Sequence, residues 1–218
     1  MTALPSTDPD APQTRAEWVD ARLRAAILGG ALAPGTRLRG EHLAAEWGVS
    51  ATPMREAFQR LAGEGWIVIE PQRGARVAEI DVGVAIEYYE LRLVLDPLAL
   101  ASSITASLAD GSFADEVRAA SRALAAAPRT AAGLDAHRAF HLTLLSRCPN
   151  RELVRLCTQL HDHTQRYHVS SAGPRRVGNP EQEHRALRDA VLTGDVDRAV
   201  SVLTAHLHAT LATLRPPG

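Results

Sequence analysis

The fold of the N-terminal part of this chain is decided by the segment from Leu38 to Ile80, LRGEHLAAEWGVSATPMREAFQRLAGEGWIVIEPQRGARVAEI. Its apolar spacing predicts a short helix over residues 40–47, and a Gly-Val-Ser turn separates it from a second helix over residues 52–62, opened by a Thr-Pro pair. Two strand-like runs follow, at residues 66–70 and 75–79, and the link between them is short enough for a hairpin. This order predicts a winged helix-turn-helix, whose second helix enters the major groove of DNA.

Helices alone are predicted on either side of that segment. Thr14 and Glu17 have the spacing of a capping box and open a helix that extends to about residue 28. The predicted C-terminal helices cover residues 82–108, 112–126, 130–147, 150–170, 180–192 and 195–214. We therefore predict a mainly α protein with a disordered tail over residues 1–13, a winged helix-turn-helix over 14–80 and an all-α bundle over 81–215, with a hinge near 79–84.

The composition limits the classes of function. The chain has 218 residues, 45% of them hydrophobic, and its formal net charge of −1 gives no indication of a nucleic-acid partner. No apolar run approaches the length of a membrane span, and the N-terminus lacks a signal-peptide pattern. Two cysteines, Cys148 and Cys157, do not make a disulfide framework. We therefore expect a cytoplasmic protein with no membrane partner.

One face of the second helix of the motif is polar. Met54, Phe58 and Leu61 recur at helical spacing and are expected to face the core. Arginine can grip a guanine edge or a phosphate, hydroxyl groups can bond phosphate oxygens, and an arginine at a wing tip suits a minor groove. The alternative is a small helical subdomain whose arginines are solvated, but it does not account for the turn and wing. We predict DNA contacts from Arg37, Arg39, Ser50, Ala51, Thr52, Arg55, Gln59, Arg73 and Gly74.

The segment from Leu23 to Ile80 resembles the DNA-binding domain of GntR-family bacterial transcriptional regulators. The family commonly carries an arginine between the Ser and the Thr-Pro, where this chain has Ala51. The resemblance implies a homodimer that binds a palindromic operator in double-stranded DNA. It rests on Leu23-Arg-Ala-Ala-Ile27, Ala33-Pro-Gly35, Arg37-Leu38, Leu43-Ala44, Gly48-Val-Ser50, Thr52-Pro53, Arg55-Glu-Ala57, Leu61, Gly65 and Arg73-Gly74.

Four of the nine histidines have spacings that would let them converge. His137 and His141 are four residues apart on one predicted helix, so their rings share a face. His184 lies ten residues before Gly194 and His206 lies twelve after it, so an antiparallel hairpin would hold both rings at similar height. Imidazoles that face one another inside a bundle can bind zinc, nickel or copper. Scattered polar residues on amphipathic helices are the alternative that spacing leaves open.

The region from Asp81 to Leu214 is similar to the helical ligand-binding (FCD) domain of the FadR-type branch of the GntR family. Many members of that branch bind a divalent metal through one aspartate and three histidines. The similarity implies metal ligation by His141, His184 and His206, and it puts His137 in the position of the aspartate, as a fourth ligand. Zinc is the first expectation, with nickel and manganese as the alternatives. The matching residues are Glu90-Leu-Arg92, Phe140-His141, Glu183-His184 and Ala205-His-Leu207.

The same resemblance implies that a small carboxylate-type effector binds beside the metal. Such an acid needs a cation, and the candidates are Arg92, Arg138 and Arg166. We therefore predict a bacterial transcriptional regulator, a repressor in the commoner family pattern, and no enzyme activity. One alternative is a metal-dependent, hydrolase-like helical domain behind a DNA-binding head, since a bound metal can activate water. The other is an architectural DNA-binding protein without an effector.

Overall fold

A computed structural model describes residues 14–71, 73–108, 110–128, 131–170 and 179–214, without the side chains of 131–132 and 168–170. The predicted tail over residues 1–13 lies outside these ranges. The chain divides into two compact units, which meet between Glu79 and Ile80. The predicted fold class, mainly α with a winged helix-turn-helix in front of a helical bundle, is confirmed.

The first unit, which we call the head, contains three helices and three strands within its described residues. The predicted capping box opens its first helix: Glu17 N donates to Thr14 Oγ1 and Thr14 N donates to the Glu17 carboxylate. Val19, Leu23, Leu61 and Trp66 are fully buried in its core. The elements are α1 (Arg15–Leu28), β1 (Arg37–Leu38), α2 (Gly40–Trp47), α3 (Ala51–Gly63), β2 (Ile67–Glu70) and β3 (Gly74–Val77).

The wing is a three-stranded antiparallel sheet rather than the predicted hairpin alone. β3 is the central strand, with β2 on one side and β1 on the other. Arg37 pairs with Arg76 and Ile67 pairs with Val77. The strand β1 was not predicted, because two residues are too few to show an alternation of apolar and polar side chains.

The helix α3 begins earlier than its sequence predicts. Ser50 stands at the N-cap and Ala51 is the first helical residue, so Thr52 does not cap the helix. Pro53 is therefore the third helical residue, not the first. The first turn tolerates this shift because none of its N–H groups has an intrahelical acceptor.

The second unit consists of helices in all its described secondary structure. Asp81 caps its first helix by accepting hydrogen bonds from Gly83 N and Val84 N, and Asn179 caps a later one ahead of Pro180. The last two helices pack together across a turn at Gly194, whose φ is 70°. The helices are α4 (Val82–Ser107), α5 (Gly111–Ala126), α6 (Ala131–Leu145), α7 (Arg151–Ser170), α8 (Pro180–Leu192) and α9 (Val196–Leu214).

The bundle core combines aliphatic packing with buried polar groups. Leu100, Phe140, Leu203 and Leu207 belong to one apolar cluster. Arginine, aspartate and histidine side chains from α4, α6, α7, α8 and α9 are buried in the same unit. Among the described residues, no helix is both long enough and apolar enough to cross a membrane.

Candidate metal centre and nucleic-acid interface

Four histidine rings converge inside the bundle. α6 supplies His137 and His141, α8 supplies His184 and α9 supplies His206. One possible ligand nitrogen from each ring lies within 4.8 Å of the other three. His141 Nε2 and His184 Nε2 are 3.2 Å apart. The helical spacing of the first pair and the hairpin between α8 and α9 therefore bring the predicted residues to one place.

The rings are held in the form that binds metals. Burial, followed by the charges of neighbouring rings, keeps the pKa of His137 and of His141 well below the usual value. Arg92 also lowers the pKa of His137. Both rings are therefore neutral at pH 7, and neutral imidazole is the species that ligates a metal.

Glu183 supports one of these rings from outside the cluster. His206 Nδ1 lies 2.9 Å from Glu183 Oε2. A carboxylate only accepts hydrogen bonds, so the proton is on Nδ1 and the lone pair of Nε2 is left available. No role for Glu183 was predicted beyond a family match, because nothing in its sequence spacing shows that its side chain reaches α9.

A buried ion pair, Arg92–Asp96, is linked to the histidine cluster through His161. Arg92 Nε donates to Asp96 Oδ2 at 3.0 Å, and Nη1 donates to Thr164 Oγ1 at 3.0 Å. Nη2 lies 3.0 Å from His161 Nε2, and the His161 ring centroid is 5.5 Å from that of His141. All three guanidinium nitrogens of Arg92 therefore have a partner. The sequence predicts Arg92 as an effector ligand but does not indicate these contacts.

The charges beside Asp96 determine its protonation state. Burial alone would raise the pKa of Asp96, but the neighbouring His161 and Arg92 outweigh it and hold that pKa well below the usual range. Asp96 is thus ionised at any physiological pH, and the Arg92 charge is neutralised locally.

The other two predicted effector arginines have different surroundings. Arg138, on α6, is partly exposed and its Nε donates to Asp162 Oδ1 on α7. Arg166 is buried on α7, and this burial lowers its pKa, while Tyr88 acts in the opposite direction. Asp135, two residues before His137, accepts a hydrogen bond from Gln165 at 2.7 Å and is outside the histidine cluster.

The predicted DNA-facing residues of the head are all exposed. Met54, Phe58 and Leu61 of α3 are buried, as the helical spacing indicated. The opposite face of α3 and the residues beside it therefore present polar groups to solvent. The exposed set is Arg37, Arg39, Ser50, Ala51, Thr52, Arg55, Gln59, Arg73 and Gly74.

Gly74 has a structural role in the wing besides its predicted contact with DNA. Its φ of 88° lies in the left-handed region that favours glycine, and an added Cβ would come within 3.3 Å of the Leu38 carbonyl oxygen. The glycine therefore allows β1 and β3 to approach at the tip of the wing. Two residues further along β3, Arg76 forms ion pairs with Glu70 and Glu79, whereas Arg73 is exposed.

Comparison with known proteins places each unit. Residues 15–77 match the family described as bacterial regulatory proteins, gntR family, and residues 87–209 match the FCD domain. The uncharacterized HTH-type transcriptional regulator BphR of Paraburkholderia xenovorans (strain LB400) is 29% identical over 209 residues, which span 90% of this chain and 84% of BphR.

Two further proteins extend the comparison. The probable D-xylose utilization operon transcriptional repressor of Paenarthrobacter nicotinovorans is 28% identical over 194 residues, which span 85% of this chain and 82% of the repressor. The solved structure of E. coli McbR/YncC superposes with a TM-score of 0.78 over 92% of this chain and 97% of its own, at 22% identity. That last likeness concerns the fold alone.

Proposed function

The chain belongs to the GntR family of bacterial regulatory proteins, as a DNA-binding transcriptional regulator with an FCD domain, and from this membership we propose how it is controlled. A small organic acid binds beside a divalent metal in the helical unit and changes the affinity of the heads for their operator. The proposed sign of regulation is repression, which is also the activity named for the relative from Paenarthrobacter nicotinovorans. Its place of action is the bacterial cytoplasm, where the operator DNA is.

The observation that carries the proposal is the convergence of four imidazoles within 4.8 Å, in the unit that follows a DNA-reading head. The donor set fits a metal: burial keeps the pKa of His137 and of His141 well below the usual value, and Glu183 accepts the Nδ1 proton of His206. When bound, a divalent ion would supply a Lewis acid that attracts the carboxylate of an organic acid. The protein's own contribution is to hold the four rings together and to place the buried Arg92 close enough to act on His137.

The electrostatics favour an anionic effector. The four rings are neutral ligands, so they would leave the charge of a bound divalent ion uncompensated. Arg92 is close enough to lower the pKa of His137, and we propose it as the nearest arginine to the effector carboxylate. Because Arg92 is already bound by Asp96, Thr164 and His161, an effector that reaches it would share or displace one of these contacts. Arg138 and Arg166 are the second choices.

Control of DNA binding follows from a coupling free energy between two sites. The effector favours one arrangement of the helical unit, the operator favours one placement of the heads, and each must change the affinity of the other by the same factor. The proposed hinge is at residues 79–84, where the units meet and Asp81 caps α4. An acid that binds equally well to both arrangements would have no effect.

A palindromic operator requires two heads, and we propose a homodimer formed through α4. Leu91, Val94 and Leu98 lie at helical spacing on this helix and are 50%, 60% and 56% exposed. An apolar stripe of this kind marks an interaction surface. A second copy of the chain is the fitting occupant, because α4 begins directly after the head, so that pairing two such helices would also bring two heads into one assembly.

The experiment that tests the proposal combines metal analysis with DNA binding. The operator is selected from random duplexes, and purified protein is assayed for metal content and for mass by light scattering. We expect a dimer that contains metal, and operator affinity that falls when one acid from a panel of carboxylic acids is added. Metal-free protein with unchanged DNA binding across the panel would reject the control mechanism, and a monomer would reject the dimer.

A matched pair of histidine variants sharpens this test. His184→Ala should abolish metal binding and the response to the acid, because it removes a buried ligand. His208→Ala, on the exposed side of α9, should leave both unchanged. Metal content that is equal in the two variants would refute the assignment of the site.

A further inference from the structure

We infer that His137 makes the site a tetra-imidazole site that selects zinc, nickel or copper against manganese and magnesium. The inference rests on the proposed function, since it requires that the four histidines ligate an ion. It goes further by assigning the choice of ion to His137 and the orientation of the His206 ring to Glu183.

The donor set argues for this choice. In the described part of the chain, the group able to hold an ion consists of His137, His141, His184 and His206, so its four donors are all ring nitrogens. Imidazole suits zinc, copper and nickel, whereas manganese and magnesium favour carboxylate, carbonyl and water oxygens. An all-nitrogen site therefore lacks the ligand that the harder ions require.

The acids around the cluster are occupied by other groups. Asp135 accepts from Gln165, Asp162 accepts from Arg138, and Asp96 is bound by Arg92. Glu183 is bound to His206 Nδ1. Recruiting Asp135, Asp162 or Glu183 as a first ligand would break such a hydrogen bond, which has its own cost in free energy. Recruiting Asp96 would disturb its buried ion pair with Arg92.

The spacing of the rings is consistent with a small tetrahedral ion. His141 Nε2 and His184 Nε2 are 3.2 Å apart. Two nitrogens that each lie 2.0–2.1 Å from a tetrahedral zinc ion are about 3.3 Å apart. These two rings thus already have the separation of one edge of a zinc tetrahedron.

His137 is the ligand that can be exchanged. His141, His184 and His206 are buried, whereas His137 is only partly so. Its ring centroid lies 4.6 Å from that of His141 and 4.9 Å from that of His184, on the same face of α6 as the former. A carboxylate at this position would add an oxygen donor and a negative charge while leaving three rings in place.

Glu183 is a positioning residue for the same ion. It accepts the Nδ1 proton of His206, which aims the Nε2 lone pair of that ring and raises its basicity. Losing such a partner lowers metal affinity by about 10–100-fold in other sites. We expect Glu183→Gln, which keeps the shape but removes the charge, to fall within that range while the preference among ions is retained.

The test is a competition for metal-stripped, full-length protein. Wild type and His137→Asp are each dialysed against equimolar zinc and manganese chlorides, and bound metal is measured by elemental analysis, with circular dichroism to confirm folding. We expect wild type to take up zinc in preference to manganese, and the manganese-to-zinc ratio to rise in His137→Asp. His208→Asp, which places the same charge on the exposed side of α9, should keep the wild-type ratio.

The outcomes separate this inference from the proposed function. Wild type that binds neither ion would overturn the proposed metal centre itself. Wild type that binds zinc and manganese equally, or a His137→Asp ratio equal to that of His208→Asp, would overturn the inference and leave the metal centre standing. Should His137→Asp not fold, His137→Glu takes its place in the same comparison, because it brings a carboxylate donor to the same position; a ratio equal to that of His208→Asp would again overturn the inference.

Discussion

The residues predicted to act in the head lie on its surface, whereas those predicted to act in the helical unit lie mainly in its interior. In the head, the buried residues of α3 hold the helix in place while Arg55 and its exposed neighbours face outward. In the helical unit, the Arg92–Asp96 pair and three of the four histidines are buried, and the fourth, His137, is partly buried. We therefore expect substitutions on the surface of the head to change DNA binding without changing stability. In the helical unit, substitutions at the proposed site should change both ligand binding and stability.

The largest expected difference concerns two ion pairs, one in each unit. Asp96→Ala should lower the free energy of unfolding of the helical unit by about 3–5 kcal/mol, because it leaves the buried Arg92 without its carboxylate. Asp20→Ala in the head should cost less than this, because Arg24 is partly exposed and keeps a second ion pair, with Glu64 at 2.7 Å.

The two units can be followed by different signals in the same denaturant titration. All three tryptophans, Trp18, Trp47 and Trp66, belong to the head, so tryptophan fluorescence reports its unfolding. Far-ultraviolet circular dichroism mainly follows the six helices described in the other unit. Equal shifts for Asp96→Ala and Asp20→Ala would mean that burial does not distinguish the two pairs.

The next effect should appear in DNA binding without a change in stability. Arg55→Ala should weaken operator binding by about 1–3 kcal/mol, the usual size for the loss of one base contact. Its side chain is exposed, so the tryptophan unfolding transition should not move. Fluorescence anisotropy titrations at fixed salt measure the affinity.

Arg198→Ala supplies the control for charge. Arg198 is exposed at the start of α9, so its removal changes the net charge equally but takes no group from the head. If both variants bind the operator like wild type, Arg55 is not a reader. If Arg55→Ala also unfolds more easily, the separation of fold and function in the head is incorrect.

The same contrast explains how far the sequence could predict this molecule. The elements of the head could be predicted because their sequence signals are local. Thr14 and Glu17 are three residues apart in the capping box. Met54, Phe58 and Leu61 mark one face of a helix. Its errors were local as well. Neither the two-residue strand β1 nor the start of α3 at Ala51 leaves a periodic trace.

The contacts of the helical unit could be predicted only in part, because its candidate site is assembled by tertiary packing. His137 and His141 were paired by helical spacing, and His184 and His206 by their distances from Gly194. The partners of Arg92 were not predictable, since Thr164 and His161 lie 72 and 69 residues away in the chain. The contact from Glu183 to His206 was hidden for the same reason, across 23 residues.

The smallest expected effect concerns an exposed acid of the helical unit, and it depends on pH. Asp110 caps α5, accepting from Ser112 and Phe113 N, and it pairs with Arg147 Nε at 2.8 Å. Its hydrogen bonds with Ser112 and Arg147 lower the pKa of Asp110 to about 2 from a model-peptide value of 3.8. Because this folded-state pKa is the lower one, the stabilisation is complete above pH 3.8 and is lost as the pH falls towards 2.

Asp110→Asn isolates this contribution, since asparagine can still cap α5 but cannot pair with Arg147 as an anion. The free energy of unfolding of wild type should exceed that of the variant at pH 6, and the difference should shrink as the pH falls through the window between the two pKa values. Circular dichroism in denaturant titrations at each pH measures it. A difference that stays constant with pH would show that capping, not charge, is what Asp110 contributes, and the Arg92–Asp96 pair would then be the better measure of what charge does in this unit.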